Sequence, residues 1–514
     1  MFASVFSHEP IGFEGKIVSV EVDIRRGIPG IDLVGLPDSA VREARERVRV
    51  AIRNSGFKFP ADRILVNLAP ADLRKEGSSY DLPIALGILM ASGQIKGNIG
   101  KPVMIVGELN LTGMVKGVNG AISAVISGAK HGIRRFLVPK INLFEAVSVG
   151  SGRVFGINSL KEAVSRLSNI NNGCQPERAV DYEPEADFYS FDSIGDFADV
   201  KGHNILKRAL EVAAAGGHNV LLFGPPGVGK SMSIYRFPTI LPPLERDESL
   251  EVTRIHSIAG VLPPNSGLIR YRPFRAPHHT SSIEGVIGGG NLPKPGEVSL
   301  AHRGVLFLDE TPEFKTSLLQ SLREPIENGS VTVSRVGRTV TYPAKFQLIM
   351  AANACPCGNL GKKEGNCVCT STEIRRYWKK IGGALLDRID IRVPVSPVST
   401  GEMLKEGEER SSAVAARVRE AVKIQKSRFA QLGLKRNSEI PPGEIDNFCK
   451  IGDNLRRFVV RVAEKLTLSS RAIHSILKIA RTIADLEGRE RICEEHILEA
   501  VQHRRFGDSD LPWI

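Results

Sequence analysis

Gly224-Pro225-Pro226-Gly227-Val228-Gly229-Lys230-Ser231 follows directly on the apolar run Asn219-Val220-Leu221-Leu222-Phe223. The run reads as a buried strand, and the octet has the spacing G-x-x-x-x-G-K-S of a loop that cradles polyphosphate. Its glycines let the backbone turn so that amide N–H groups face an anion, and a following helix presents its positive end to the same anion. In such a loop Lys230 reaches the β- and γ-phosphates and the Ser231 hydroxyl ligates Mg²⁺. Standing alone, the octet also suits an ordinary Gly-rich turn. The sequence downstream separates the two readings.

A second apolar strand, Gly304-Val305-Leu306-Phe307-Leu308, ends in Asp309 and Glu310. Acids at the end of a buried parallel strand sit where such sheets bind ligands. Asp309 is suited to hold Mg²⁺ through water, and Glu310 to orient or deprotonate an attacking water. A third strand, Phe346-Gln347-Leu348-Ile349-Met350, runs into Ala351-Ala352-Asn353, where a polar side chain would position that water beside the γ-phosphate. From about 198 to 395, strands of this kind alternate with helical segments, which predicts a three-layer α/β/α domain.

The flanking sequence is different in kind. Residues 1–168 mix strand-like alternation, as in Lys16-Ile17-Val18-Ser19-Val20-Glu21-Val22, with amphipathic helices. Ser39–Ser55 carries Val41, Ala44, Val48 and Ile52 at helical spacing, with Arg42, Arg45, Arg47 and Arg49 between them. Those arginines read either as a solvated face or as a DNA-binding surface. The polar, acidic stretch 169–197 reads as a linker, Pro394–Glu409 is weakly patterned, and 396–514 is mainly helical, most clearly over Ser470–Leu486.

The whole chain, 514 residues with 42% hydrophobic and 25% charged residues, has the composition of a soluble globular protein of about three domains. Met1–Gly12 lacks the pattern of a secretory signal, and the most apolar window, Leu82–Ala91, is too short to span a bilayer. A cytoplasmic protein without membrane partners is expected. The formal charge of +12 suits a polyanionic partner, and equally a solvated basic surface. Seven cysteines are too few for a disulfide scaffold, but Cys355, Cys357, Cys367 and Cys369 fall within 15 residues. A Cys₄ zinc site and free or redox-active thiols are the two readings, the C-x-C spacing being tighter than the usual C-x₂-C. Cys174, Cys449 and Cys493 stand alone.

The strings GPPGVGKS, FRAPHHTSSIEGVIGGG, PGEVSLAHRGVLFLDETPEF, LLDRIDI and LSSRAIHSILKIARTIADLEG cover most of residues 200–510. On these the chain resembles the AAA+ ATPases of the magnesium-chelatase-like family, in its competence-protein branch. The resemblance implies ATP and Mg²⁺, a hexameric ring of identical chains, a core at 198–395 and a helical lid at 396–514. By it Asn353 matches sensor 1, Arg388 the arginine finger and Arg471 sensor 2. An always-charged, planar guanidinium suits a γ-phosphate. The plainer alternatives are an Arg388 pair with Asp387 or Asp390, and a solvated Arg471. The chain departs from the family at Met232-Ser233-Ile234-Tyr235-Arg236-Phe237, where an Ala/Leu/Arg-rich helix is usual.

Residues 1–168 resemble the Lon-protease-type (ribosomal S5 domain 2-like) fold, with Ser79 near the nucleophile's position. No lysine follows Gly120 where the general base belongs; the chain reads Ala121-Ile122-Ser123-Ala124-Val125, with Lys116 and Lys130 off position. A serine without its base is a poor nucleophile, so a non-proteolytic domain is expected. The alternation over Gly329–Tyr342 predicts a β-hairpin, and in the family such a hairpin points into the ring channel. Arg335 and Arg338 near its tip would track a phosphate backbone, or simply protect a solvated edge. His278-His279-Thr280 and Gly288-Gly289-Gly290 match the family's insert in the second ATPase helix. The function expected is a ring motor acting on single-stranded or branched DNA, a helicase for branch migration in recombination and natural transformation. A chelatase-type remodeller is the alternative, and an ATP-dependent protease is opposed by the missing lysine.

Overall fold

The structure is a computed structural model that describes residues 1–95, 101–170, 176, 194–290, 293–335, 338–362, 366–403 and 407–504. Most of the stretch 169–197 lies outside the described residues. The chain divides into two compact units. One takes Met1–Phe188, Glu245–Arg270 and Ser334–Tyr342; the other takes Tyr189–Leu244, Tyr271–Val333 and Pro343–Ile514.

In the first unit seven strands form a mixed sheet: β1 (Phe2–Glu9), β2 (Lys16–Arg25), β3 (Gly30–Val34), β4 (Arg63–Ala69), β5 (Met104–Ile105), β6 (Arg135–Pro139) and β7 (Arg153–Ile157). Their spatial order is β3-β4-β2-β1-β5-β6-β7. The alternation of β2 buries Val18, Val20, Val22 and Ile24 on one face. That face packs against the helix Asp81–Ala91, which contains the apolar window and is buried almost all round. A Cβ at Gly87 would stand 2.7 Å from Val22 Cγ2, so the helix lies this close because that residue has no side chain.

The helix Ser39–Asn54 is capped by Asp38, whose side chain accepts from the Val41 N–H at 2.7 Å. Its buried stripe is Val41, Ala44, Val48, Ala51 and Ile52, and Arg42, Arg45 and Arg49 are exposed. Arg47 differs. It grips the fully buried Asp81 with two bonds of 3.0 Å, a bidentate pair in the core.

The helix Arg246–Ala259 also belongs to this unit. Its Arg254 donates to Ser123 Oγ at 2.8 Å and to the Glu14 carbonyl at 2.7 Å, and lies 4.4 Å over the Phe13 ring. Burial lowers its pKa to about 10. Ser123 lies in the stretch where a Lon-type lysine would stand, and its hydroxyl is held by this arginine. Lys116 and Lys130 are surface residues that pair with Glu108 at 3.5 Å and Glu14 at 3.6 Å.

In the second unit five parallel strands form the sheet: β8 (Val220–Phe223), β9 (Phe274–Arg275), β10 (Val305–Leu308), β11 (Gln347–Ala352) and β12 (Ile391–Pro394). The spatial order is β9-β10-β11-β8-β12. The inner strands β8, β10 and β11 are buried throughout, as contiguous apolar runs require. Val220, Phe307, Ile349 and Val393 share one core with Ile476, Ala480 and Ile483 of the helix Ser470–Leu486. That helix is anchored to the sheet edge by Ser475, whose hydroxyl donates to Asp390 at 2.5 Å. No helix among the described residues is long and apolar enough to cross a membrane.

Candidate nucleotide-binding site

Parallel pairing brings the ends of three strands to one edge. Register places Phe223 beside Ala352 and Leu308 beside Met350. The Gly224 loop, Asp309 and Asn353 therefore leave the sheet together, at the carboxyl ends where such sheets bind ligands. β8 and β11 are neighbours although far apart in sequence, so the chain reverses its winding direction at this point.

Gly227 and Gly229 sit at φ 81° and 88°, in the left-handed region that favours glycine. Gly224 has no room for a side chain, since a Cβ there would lie 2.1 Å from the Val395 carbonyl oxygen. Lys230 is only 7% exposed. Its ammonium donates to the carbonyls of Gly224 at 2.8 Å and Pro225 at 2.7 Å, and to Asn353 Oδ1 at 3.4 Å. Burial lowers its pKa to about 8, and the nearby charges of Asp309 and Glu310 oppose that shift. Ser231 Oγ donates to Asp309 Oδ2 at 2.7 Å, and Asp309 Oδ1 accepts from the Glu310 N–H at 2.9 Å. The adjacent residues Lys230 and Ser231 thus each hold one strand end, Lys230 through Asn353 and Ser231 through Asp309, with Glu310 exposed beside them.

The helix begun at Lys230 ends at Arg236 and tightens into a 3₁₀ turn over Phe237–Ile240, with Pro238 inside it. Ser233 Oγ donates back to the Gly229 carbonyl at 2.9 Å, a bond that competes with regular helix. The departure in sequence after Ser231 thus coincides with a short helix.

Thr311, His203 and Glu327 bear on the site without any mark in the sequence, and two residues that the sequence singled out, Glu310 and His279, lie beside each other. Thr311 Oγ1 donates to the carbonyls of Leu308 at 2.9 Å and Ala351 at 3.1 Å, tying the two strand ends together. Glu310 itself adopts φ 48°, a strained conformation for a non-glycine residue of the kind functional sites retain. His279 Nδ1 lies 3.8 Å from Glu310 Oε2, and the His278 and His279 rings stack at 4.1 Å. His203 stands beside Gly229 and is hydrogen-bonded to the Val228 backbone, with its pKa lowered by burial. Glu327 is the partner of two arginines.

Arg388 donates to Glu327 Oε1 and to the Ala384 carbonyl, and Arg471 donates to the same Glu327 oxygen at 3.3 Å. Burial would raise the Glu327 carboxyl, but the bonds from the two arginines outweigh it and hold the carboxyl below its usual range. Arg388 is 9% exposed, and its Nε is buried without a partner among the described residues. Asp390 is occupied instead by His218 at 3.4 Å and Ser475. Asp387 lies 3.7 Å from Arg504. The described bonds of Arg388 and Arg471 thus bring them together on Glu327, apart from the Lys230 group.

Cys355, Cys357, Cys367 and Cys369 converge, with all four Sγ atoms within 4.8 Å of one another. Arg335 and Arg338 end the two strands of a hairpin, Ser330–Arg335 and Arg338–Pro343. Their side chains lie outside the described residues.

The donor set fits a nucleotide with its metal. Ser231 Oγ and a carboxylate oxygen of Asp309 are hard oxygen ligands already in contact, as Mg²⁺ prefers. Among the described residues the Lys230 ammonium hydrogen-bonds only to neutral carbonyl and amide oxygens, and the charges of Asp309 and Glu310 offset its burial only in part, so a polyphosphate supplies further opposite charge.

Three family profiles match: "Subunit ChlI of Mg-chelatase" over residues 20–142, "Magnesium chelatase, subunit ChlI" over 196–403 and "Magnesium chelatase, subunit ChlI C-terminal" over 408–504. The chain is 40% identical over 504 residues to the competence protein ComM of Haemophilus influenzae, covering 98% of this chain and 97% of that one. It is 41% identical over 502 residues to YifB of Escherichia coli K12, covering 97% and 96%. The 38 kDa magnesium-chelatase subunit of Rhodobacter capsulatus is 25% identical over 175 residues, covering 30% of this chain and 49% of its own. With matches of this length and identity, the chain belongs to the magnesium-chelatase-like AAA+ ATPases, the family of ComM and YifB.

Proposed function

We propose that the protein is an ATP-hydrolysing ring motor that acts on DNA, driving branch migration in recombination and the uptake of incoming DNA. The observation that carries the ATPase half is the convergence at one sheet edge of two bonded pairs, Lys230 with Asn353 and Ser231 with Asp309, with Glu310 beside them. The DNA half rests on likeness over 98% of the chain to a protein named for competence, whereas the chelatase subunit matches 30% of it. Placement of the motor in the cytoplasm follows from that role.

Each residue then has a task. The loop amides and Lys230 bind the β- and γ-phosphates, and Lys230 exchanges its carbonyl partners for them. Ser231 and Asp309 are the residues that would hold Mg²⁺, which when bound neutralises charge building on the phosphate oxygens. Glu310 accepts a proton from the attacking water as that oxygen bonds to the γ-phosphorus and ADP leaves. Asn353 orients the water. Arg388 reaches the γ-phosphate of the neighbouring subunit and Arg471 that of its own, so each must first leave Glu327. Arg335 and Arg338 grip the DNA backbone without reading its sequence.

Residues 1–168 serve assembly or DNA contact rather than proteolysis. Lys116 and Lys130 are paired with acids at the surface, and Ser123 faces Arg254. The deciding measurement is ATP turnover with forked or Holliday-type DNA at rising salt. Stimulation that fades with salt is expected. Turnover indifferent to branched DNA at low salt would refute the DNA motor and return the chelatase-type reading.

A further inference from the structure

Asn353 is followed within two residues by Cys355, which opens the cysteine cluster. The Sγ separations are 3.4 Å for Cys355–Cys357, 3.7 Å for Cys357–Cys367 and 3.6 Å for Cys355–Cys367. Four thiolates at about 2.3 Å from a tetrahedral Zn²⁺ stand about 3.8 Å from one another. A disulfide would draw two sulfurs to about 2.05 Å. The three edges lie close to the zinc tetrahedron, and all four thiols are free. The Leu360 N–H donates to Cys355 Sγ at 3.4 Å, the backbone support that a metal-bound thiolate receives.

The cluster is also wired into the nucleotide site. The Ala354 carbonyl, between Asn353 and Cys355, accepts from Trp378 Nε1 at 3.1 Å. Trp378 lies on the helix Ser371–Lys379, capped by Thr370 directly after Cys369. Its ring meets Phe223, the last residue before the phosphate loop, edge-on at 5.8 Å. At Gly358, inside the cluster, a Cβ would stand 3.1 Å from Pro226 Cγ of the phosphate loop. The cysteine segment therefore leans directly on the loop that carries Lys230 and continues the strand that carries Asn353.

We propose that Cys355, Cys357, Cys367 and Cys369 bind one structural Zn²⁺, and that this ion is a strut holding the Asn353 turn and the phosphate loop at their mutual spacing. The thiols release their protons to solvent as they bind the ion as thiolates, and no electron transfer is involved. Zinc is preferred because an all-thiolate tetrahedral set suits it, iron being the competing occupant.

The test uses the full-length protein purified without chelators. Metal analysis is expected to find about one zinc per chain. Fewer than about one zinc per four chains, or iron with its visible absorbance, would overturn the zinc assignment. The strut is tested by stripping the metal with a thiol-displacing mercurial plus chelator, then titrating a fluorescent nucleotide before and after zinc is restored. Stripping is expected to weaken nucleotide binding at least tenfold and zinc to restore it. Because Cys355 is buried and its variant is liable to misfold, Cys369→Ser supplies the second arm. It should lose zinc and nucleotide affinity together while keeping its circular dichroism spectrum. Loss of zinc with nucleotide affinity unchanged would overturn the strut.

Discussion

Nucleotide affinity should fall steeply as pH rises past 8, because the ammonium that meets the phosphates is only marginally charged beforehand. Burial drops Lys230 from 10.5 to about 8 in the nucleotide-free protein. A bound polyphosphate favours the charged form, so the bound-state pKa returns to or above the ordinary lysine value. The sign follows directly. Below about 8 Lys230 is already charged and binding takes up no proton; above it, binding must first protonate the amine. Between pH 7 and pH 9 the charged fraction falls to about a tenth, so the dissociation constant should rise about tenfold, or about 1.4 kcal/mol. The loss continues toward a ceiling set by the full shift, 10.5 minus about 8, or about 3.4 kcal/mol. The assay is titration of a fluorescent ATP analogue into Glu310→Gln protein from pH 7 to 9.5, hydrolysis being blocked by the substitution. Removing the Glu310 charge should also move the midpoint slightly down, since that charge raises the Lys230 pKa. A dissociation constant flat across this range would refute the account of Lys230 as a buried, under-neutralised cation.

Three further outcomes are expected. Arg388→Ala and Lys230→Ala proteins, each inactive alone, should regain ATP turnover when mixed, because one supplies the finger and the other the intact receiving loop; verified mixed rings without turnover would place Arg388 outside the shared site. Substituting Arg335 and Arg338 together by alanine should abolish stimulation by DNA and leave basal turnover intact, and retained stimulation would move the DNA grip elsewhere. Arg47→Ala strands the fully buried Asp81 carboxyl and should cost about 2–3 kcal/mol in urea unfolding, whereas Arg42→Ala on the same helix should cost less than about 0.5 kcal/mol; equal effects would contradict the different placement of the two arginines.

The phosphate loop, Asp309, Glu310 and Asn353 were legible because each sits at the end of a contiguous apolar run. Parallel pairing brings such ends together regardless of which strand neighbours which. The helices Ser39–Asn54 and Ser470–Leu486 were legible for a related reason, since periodicity is local. Periodicity did not distinguish Arg47 from Arg42, because the difference lies in Asp81, 34 residues away. The helix Arg246–Ala259 carries no sign in its own sequence that it packs with the first unit, for its reason to do so is Ser123 and Phe13.

Glu327 was the least legible residue of all, lying 61 residues from Arg388 and 144 from Arg471. Its meaning depends on a substitution of like for like. A carboxylate and a phosphate accept from guanidinium in the same planar, charge-assisted way, so Glu327 can hold in a single chain the arginines that a γ-phosphate would hold in a ring. The exchange must be affordable. Arg471 and Glu327 are 45% and 43% exposed, so solvent screens that pair, and surface ion pairs are worth about 0–1 kcal/mol. That is small beside the charge a γ-phosphate with its metal presents to two guanidinium groups. The buried Nε of Arg388, without a partner among the described residues, lowers the cost of that arginine's departure, because the side chain is incompletely satisfied there. On the proposed mechanism a lone chain keeps both arginines parked on Glu327, Arg388 largely buried and Arg471 exposed; nucleotide in the neighbouring subunit draws Arg388 away, and nucleotide in its own subunit draws Arg471.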